Sequence, residues 1–124
     1  MLENSRVATR LPTQDLDRAR RFYSEKLGLE PVEERPGGLR YRCASGEFVL
    51  FDSAGSSPGT FTQMAFDVDD IEAVVADLEA RGVECEYEGI ADVEGNYPSK
   101  GGRGERAVWL RDSEGNMLGI GQST

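Results

Sequence analysis

The chain contains no histidine, and this absence restricts its chemistry more than any other feature of the composition. Histidine is the commonest general base near neutral pH and the commonest ligand of transition metals. Acid–base chemistry would therefore depend on Asp, Glu, Cys, Tyr or Lys with a shifted pKa. Two cysteines, Cys43 and Cys85, cannot complete a zinc site alone, and we expect both to be free thiols.

Other absences exclude further classes of protein. No apolar run approaches the roughly 18–20 residues of a membrane span, and no charged-then-apolar leader is visible, so no membrane partner and a cytoplasmic location are expected. Fourteen Lys and Arg against 23 Asp and Glu give a net charge of −9. Nucleic-acid binding depends on clustered basic residues, so nucleic acid is not an expected partner. A length of 124 residues predicts a single domain.

The first half of the chain shows the pattern of one strand, one helix and three further strands. Apolar positions at helical spacing predict a helix over residues 14–27, with Thr13 as its N-cap and Gly28 as its stop. Apolar segments bounded by turn residues predict the strands, at residues 6–13, 30–34, 39–44 and 47–53. The order is therefore β-α-β-β-β.

The second half repeats this order. A helix is predicted over residues 69–81, ended by Gly82, and the motif Asp15-Leu16-Asp17 aligns with Asp70-Ile71-Glu72. The predicted strands lie at residues 61–68, 84–89, 105–111 and 116–122. The sequence thus predicts an α+β fold of two βαβββ modules, about residues 1–57 and 58–124.

Three segments resemble the vicinal oxygen chelate superfamily, which contains glyoxalase I, extradiol dioxygenases and bleomycin-resistance proteins. They are residues 11–17 (LPTQDLD) with Phe22-Tyr23 and Leu27-Gly28-Leu29, residues 64–71 (MAFDVDDI) and residues 112–116 (DSEGN). The resemblance extends over nearly the whole chain. It implies two modules that pair into a curved mixed sheet with a cleft, and helices on the outside.

The resemblance also indicates where a metal would be bound. Enzymes of that superfamily hold a divalent ion with His at the start of strands one and five and Glu or Gln late in each module. The matching residues here are Ala8, Leu50 (Val49 if the register slips), Gln63 and Gly119. Only Gln63 offers a ligand atom, whereas catalytic metal sites use about three protein ligands. The expected cleft therefore holds neither a metal nor another cofactor.

Strand alternation predicts which side chains face this cleft. Ala8 and Arg10 face it in the first strand, and Gln63 faces it in the fifth. Trp109 lines the cleft if its two apolar neighbours in sequence face the helix. In the other register, Trp109 is a half-buried side chain at a subunit interface, and the sequence leaves both interpretations open.

Two arginines, Arg10 and Arg106, are the charged candidates. The fork of an arginine binds two oxygens of a carboxylate or phosphate at once, although a solvated or ion-paired surface arginine is the alternative. Residues 94–104 are predicted to be an irregular loop over the cleft mouth, with Tyr97 as a ligand contact. The full set of predicted cleft residues is Ala8, Arg10, Leu50, Gln63, Tyr97, Arg106, Trp109 and Gly119.

The leading functional hypothesis is a metal-independent small-molecule-binding protein, similar to the antibiotic-sequestering branch of the superfamily. The acidic charge favours a cationic antibiotic, whereas cleft arginines favour an acidic or aromatic ligand. The alternative is a glyoxalase-like lyase, isomerase or dioxygenase-related enzyme with a non-standard site, and a third hypothesis is an interaction module with a vestigial cleft. No catalytic residue is assigned. The resemblance implies a homodimer, with modules paired within one chain or across two.

Overall fold

The computed structural model describes residues 1–86, 99–100 and 106–122. A short 3-10 turn at Leu2–Asn4 precedes the two helices and eight strands found in these ranges. The elements in chain order are β1 (Ala8–Thr13), α1 (Leu16–Leu27), β2 (Glu33–Arg35), β3 (Gly38–Arg42), β4 (Glu47–Asp52), β5 (Met64–Asp67), α2 (Ile71–Ala80), β6 (Ser99–Lys100), β7 (Arg106–Arg111) and β8 (Met117–Gln122). Neither helix of the described ranges has the length and apolar character needed to cross a bilayer.

The strands form two four-stranded mixed sheets with the same topology. The first sheet has the order β1-β4-β3-β2 and the second the order β5-β8-β7-β6. The outer strand that precedes each helix is parallel to its neighbour, and the other pairs are antiparallel. The α+β fold predicted from the repeated pattern is confirmed.

The two helices begin in the same way. Asp15 and Asp70 precede α1 and α2, and each carboxylate accepts a hydrogen bond from the backbone N–H three residues later, at 3.0 and 3.1 Å. This satisfies one of the free N–H groups of the first turn. The prediction that Thr13 caps α1 is wrong, because Thr13 ends β1 and its hydroxyl donates to the carbonyl of Phe51 at 3.1 Å. Gly28 ends α1 as predicted, with a left-handed φ of +69°.

The outer edge of the second sheet differs from the prediction. Of the strand expected at residues 84–89, residues 84–86 are described, and among these only Glu86 pairs, with Trp109 through two backbone hydrogen bonds. Strand β6 instead lies within the segment predicted to be irregular, and it pairs with the start of β7. A strand edge offers unpaired backbone groups to any neighbouring segment, so this pairing needs no apolar pattern.

Both sheets contribute to one apolar core. Phe48 of the first sheet and Phe66 of the second meet edge to face, with ring centroids 6.1 Å apart. Tyr41 stacks on Phe48 at 4.8 Å, and Tyr23 of α1 packs against both rings. One face of each sheet therefore packs into the core. The other face of each sheet is open, and the candidate functional residues lie on these open faces.

The turn between β7 and β8 also joins the two halves through buried polar groups. The Tyr23 hydroxyl donates to the Asp112 carboxylate at 2.7 Å, and the Asn116 amide donates to the Pro12 carbonyl at 2.9 Å. Asp112 and Asn116 are buried. Buried polar groups are normally satisfied in this way, so the DSEGN motif acts here as a structural link between the halves.

Candidate functional site

The open face of the first sheet carries a row of side chains that crosses three strands. Arg10 of β1 lies opposite Val49 of β4, and Val49 lies opposite Arg40 of β3. Residues directly opposite on neighbouring strands point to the same face, so the two arginines flank Val49. The adjacent row of the same face consists of Ala8, Glu47 and Arg42. The predicted positions of Ala8 and Arg10 thus lie together on this face.

Leu50 does not lie on the open face. It is fully buried in the core, opposite Leu11 of β1, and Val49 takes the position on the open side. The placement of Leu50 in the cleft is therefore wrong, and the alternative register with Val49 is the one observed. Residues Phe48 to Phe51 form a continuous apolar run, so alternation alone could not distinguish the two faces of β4.

A depression of about 1170 Å³ covers this open face and concentrates positive charge. Two carboxylates, Glu33 and Glu47, accompany the arginines of the depression. Those arginines are Arg6, Arg10, Arg35, Arg40 and Arg42. A local excess of arginine is notable in a chain whose net charge is −9.

The two carboxylates of the depression are both engaged by arginines. Glu47 accepts hydrogen bonds from Arg42 at 2.9 Å and from Arg40 at 2.7 Å, and these bonds lower its pKa. Glu33 is paired with Arg35. Arg10 is exposed and forms no hydrogen bond or ion pair within the part of the chain that the structure describes. Its guanidinium is therefore available to a ligand.

The open face of the second sheet carries Trp109. Val108 and Leu110 are buried in the core, so Trp109 points to the other side, where it lies opposite Gly119 of β8 and beyond it Ala65 of β5. This resolves the two registers left open by the sequence in favour of the open face. The Trp109 indole N–H donates to the Thr62 hydroxyl at 2.9 Å.

Gly119 makes room for this arrangement of the indole. A Cβ atom at position 119 would lie 3.4 Å from Nε1 of Trp109, 3.3 Å from Cγ2 of Thr62 and 3.5 Å from the Ala65 side chain. The distance to Thr62 is tighter than an ordinary contact, and the distance to Trp109 is at the lower limit of one. Because Gly119 has no side chain, the indole of Trp109 can lie across β8 and contact Thr62.

The positions that match the superfamily's metal ligands do not fit a metal ion. Ala8, Val49 and Gly119 have no donor atom in their side chains, and the Gln63 amide oxygen accepts bonds from the Ser57 hydroxyl and, at 3.3 Å, from the Met117 N–H. Among the described residues no group of three His, Cys, Asp or Glu is placed to hold a metal. Through these bonds, Gln63 connects the loop before β5, at Ser57, with the start of β8, at Met117.

The side chains of two predicted cleft residues are not described. Tyr97 lies outside the described residues, and Arg106 is described as the first residue of β7, opposite Gln122.

The sequence analysis did not identify Arg40 as a residue of the open face, although the alternation of its strand indicates this position. Leu39 and Tyr41 are the apolar members of an alternating strand, which places Arg40 on the open face.

Two mixed sheets of identical topology, each with one face in a shared core and one open face, define a tandem βαβββ protein. The chain belongs to the Glyoxalase/Bleomycin resistance protein/Dioxygenase superfamily, which its sequence matches over residues 6–120. No protein of curated function matches the chain.

Solved structures with similar folds include binding proteins and an enzyme. TnmS3, an antibiotic binding protein from Streptomyces sp. CB03234, has a TM-score of 0.77 and 25% identity, covering 100% of this chain and 99% of that chain. Lactoylglutathione lyase from Agrobacterium tumefaciens has a TM-score of 0.70 and 24% identity, covering 96% and 93%. A bleomycin-binding protein complexed with bleomycin has a TM-score of 0.70 and 20% identity, covering 98% and 100%.

Proposed function

We propose that this protein binds a small molecule without a metal ion, and that sequestration of an antibiotic is its specific role. The observation that carries the proposal is the open face of the first sheet, where Ala8 and Val49 replace metal ligands and arginines surround a depression. The similarity to TnmS3, an antibiotic binding protein, supports the same class of function. Binding needs only a concave surface with some apolar contacts and a few fixed polar groups, and no chemistry.

The charges in the depression favour binding over catalysis. A general base that works near neutral pH needs a pKa raised towards that pH. Glu47 has a pKa lowered by its bonds to Arg42 and Arg40, and Glu33 is held by Arg35. Glu47 is thus not suited to remove a proton from a substrate.

Thermal unfolding with a panel of antibiotics and small carboxylic acids tests the proposal. A ligand at about 100 times its Kd should stabilise the folded state by about 2.7 kcal/mol, which raises the Tm by several degrees. The same shift is expected for protein dialysed against EDTA. A shift that is lost with the chelator and restored by a divalent metal would contradict metal independence, and the absence of any shift would contradict the binding function.

We further propose that the whole chain is one domain, with modules at about residues 1–57 and 58–124, and that it forms a homodimer in the cytoplasm. Two apolar side chains near the start of the chain are exposed: Leu2 is 85% and Val7 87% exposed, and Val7 lines the depression. Exposed apolar clusters commonly mark interfaces.

Light scattering tests the dimer. It should give twice the monomer mass, and Val7→Ser should shift the equilibrium between dimer and monomer towards monomer. A monomer mass for the unmodified chain at high concentration would refute the dimer.

A further inference from the structure

We propose that the open face of the first sheet binds an oxyanion, a carboxylate or phosphate group of the ligand, held between Arg10 and Arg40 above Val49. This rests on the proposed binding function and assigns the chemical class of its ligand. Cationic compounds are excluded by this assignment, because the five arginines of the depression outnumber its two carboxylates and would repel them.

The register of the sheet places the two guanidinium groups so that they can share one anion. Arg10 and Arg40 are both paired with Val49, one from each side. Neighbouring strands are about 4.8 Å apart, so the Cα atoms of the two arginines are separated by about 10 Å. Their long side chains leave the same face of the sheet and can converge over Val49. An anion there would receive donors from the fork of Arg10 and from the N–H groups of Arg40 that do not bond Glu47.

Among the described residues, two arginines of the depression have no counter-ion, Arg6 and Arg10, and of these Arg10 is the one whose strand position lies in the row of Arg40. Arg40 and Arg42 share Glu47, and Arg35 is paired with Glu33. The carboxylate of Glu47 demonstrates the chemistry of the site, because it is already bound by two guanidinium groups. Arg10 has no such partner within the described ranges and lies one row further along the same face.

Two apolar side chains beside the arginines, Val49 and Phe51, indicate the rest of the ligand. A smaller depression of about 230 Å³ adjoins the first and shares with it Arg10, Arg40 and the ion pair of Glu33 with Arg35. Val49 and Phe51 also line it, together with the turn at residues 36–38. An acid with a flat apolar body could place its oxyanion between the arginines and its body against Phe51. The ligand class is therefore an aromatic or similarly flat acid.

Arginine side-chain NMR on the full chain tests the proposal. The Nε–H resonances of Arg10 and Arg40 are assigned from their loss in Arg10→Gln and Arg40→Gln, and 1-naphthoate, benzoate and inorganic phosphate are then titrated into the unmodified protein. Both resonances should shift with at least one of the three probes, and naphthoate should bind more tightly than phosphate because of its apolar contacts with Val49 and Phe51. Arg21 is an exposed residue on the outer surface of α1, so its resonance should not move.

Affinity measurements separate this proposal from the broader binding function. Calorimetry should show that naphthoate binds at least about tenfold more tightly than the neutral 1-naphthamide, and that Arg10→Gln and Arg40→Gln each weaken it about tenfold, since bonds to charged groups are of that strength. Arg21→Gln should change it less than twofold. If naphthamide or a cationic naphthylmethylamine binds as well as naphthoate, the oxyanion proposal fails and the binding function stands. If none of the probes shifts Arg10 or Arg40, the oxyanion proposal fails as well.

Discussion

Replacing Glu114 with alanine is expected to destabilise the protein by about 2–4 kcal/mol. The Glu114 side chain is fully buried and accepts hydrogen bonds from the backbone N–H groups of Gln14 and Asp15, at 2.9 and 3.0 Å. Arg18 donates two more, at 2.8 and 2.9 Å. Removal of the carboxylate leaves the two N–H groups without a partner at the start of α1. Arg18 is half exposed and can be rehydrated, so the backbone groups account for most of the loss.

Urea unfolding measures this effect directly. Asp77→Asn is the matched control, because Asp77 forms an exposed ion pair with Arg81 on α2 and its loss should cost less than about 0.5 kcal/mol. A loss of under about 1 kcal/mol in Glu114→Ala would show that the link between the turn and α1 contributes little to stability.

The same group should make the protein sensitive to acid. Bonds from Arg18, with others from Ser113, Gln14 and Asp15, lower the pKa of Glu114 from 4.5 to about 2 in the folded state. A lowered folded pKa means that the stabilisation is complete above about pH 5 and is lost as the pH falls towards 2. The full contribution is on the order of 3 kcal/mol. Stability measured between pH 6 and pH 3 should fall less steeply in Glu114→Gln than in the unmodified protein.

The elements of the fold could be predicted because their signals are local. The aligned motif that contains Asp15 and Asp70 predicted where both helices begin, although the cap of α1 was assigned to Thr13 and the structure shows Asp15 in that role. Gly28 ends α1 because glycine, unlike other residues, readily adopts the left-handed φ that this helix end requires. Such features involve residues within one or two turns of each other. The error at Thr13 arose because its partner, the carbonyl of Phe51, is distant in sequence.

The faces of the strands were harder to predict because they depend on pairing between distant segments. Trp109 could be placed only once its neighbours Val108 and Leu110 were known to be in the core. Arg40 went unassigned, although its strand alternates clearly. The row that it forms with Arg10 exists only through the pairing of β1 and β3 with the same central strand. The periodicity of one strand cannot show which residues of different strands lie side by side, because that depends on the pairing register.

Two matched substitutions in β4 test the observed register. Leu50 lies opposite Leu11 and Leu39, and this row in the core mirrors the row of Arg10, Val49 and Arg40 on the open face. Leu50 is 0% exposed, so Leu50→Ala should destabilise the protein by about 2–5 kcal/mol, through lost burial and the cavity left among its neighbours.

Val49→Ala is the control for that measurement. The Val49 side chain borders an open depression, so its truncation widens a surface that already contacts solvent and creates no closed cavity. We expect a loss of under about 1.5 kcal/mol, close to that of removing small buried groups. Urea unfolding of both variants gives the comparison. Equal losses, or a larger loss for Val49→Ala, would show that Leu50 rather than Val49 faces the depression. Naphthoate affinity supplies a second readout, because Val49→Ala alters the floor between the two arginines and Leu50→Ala does not.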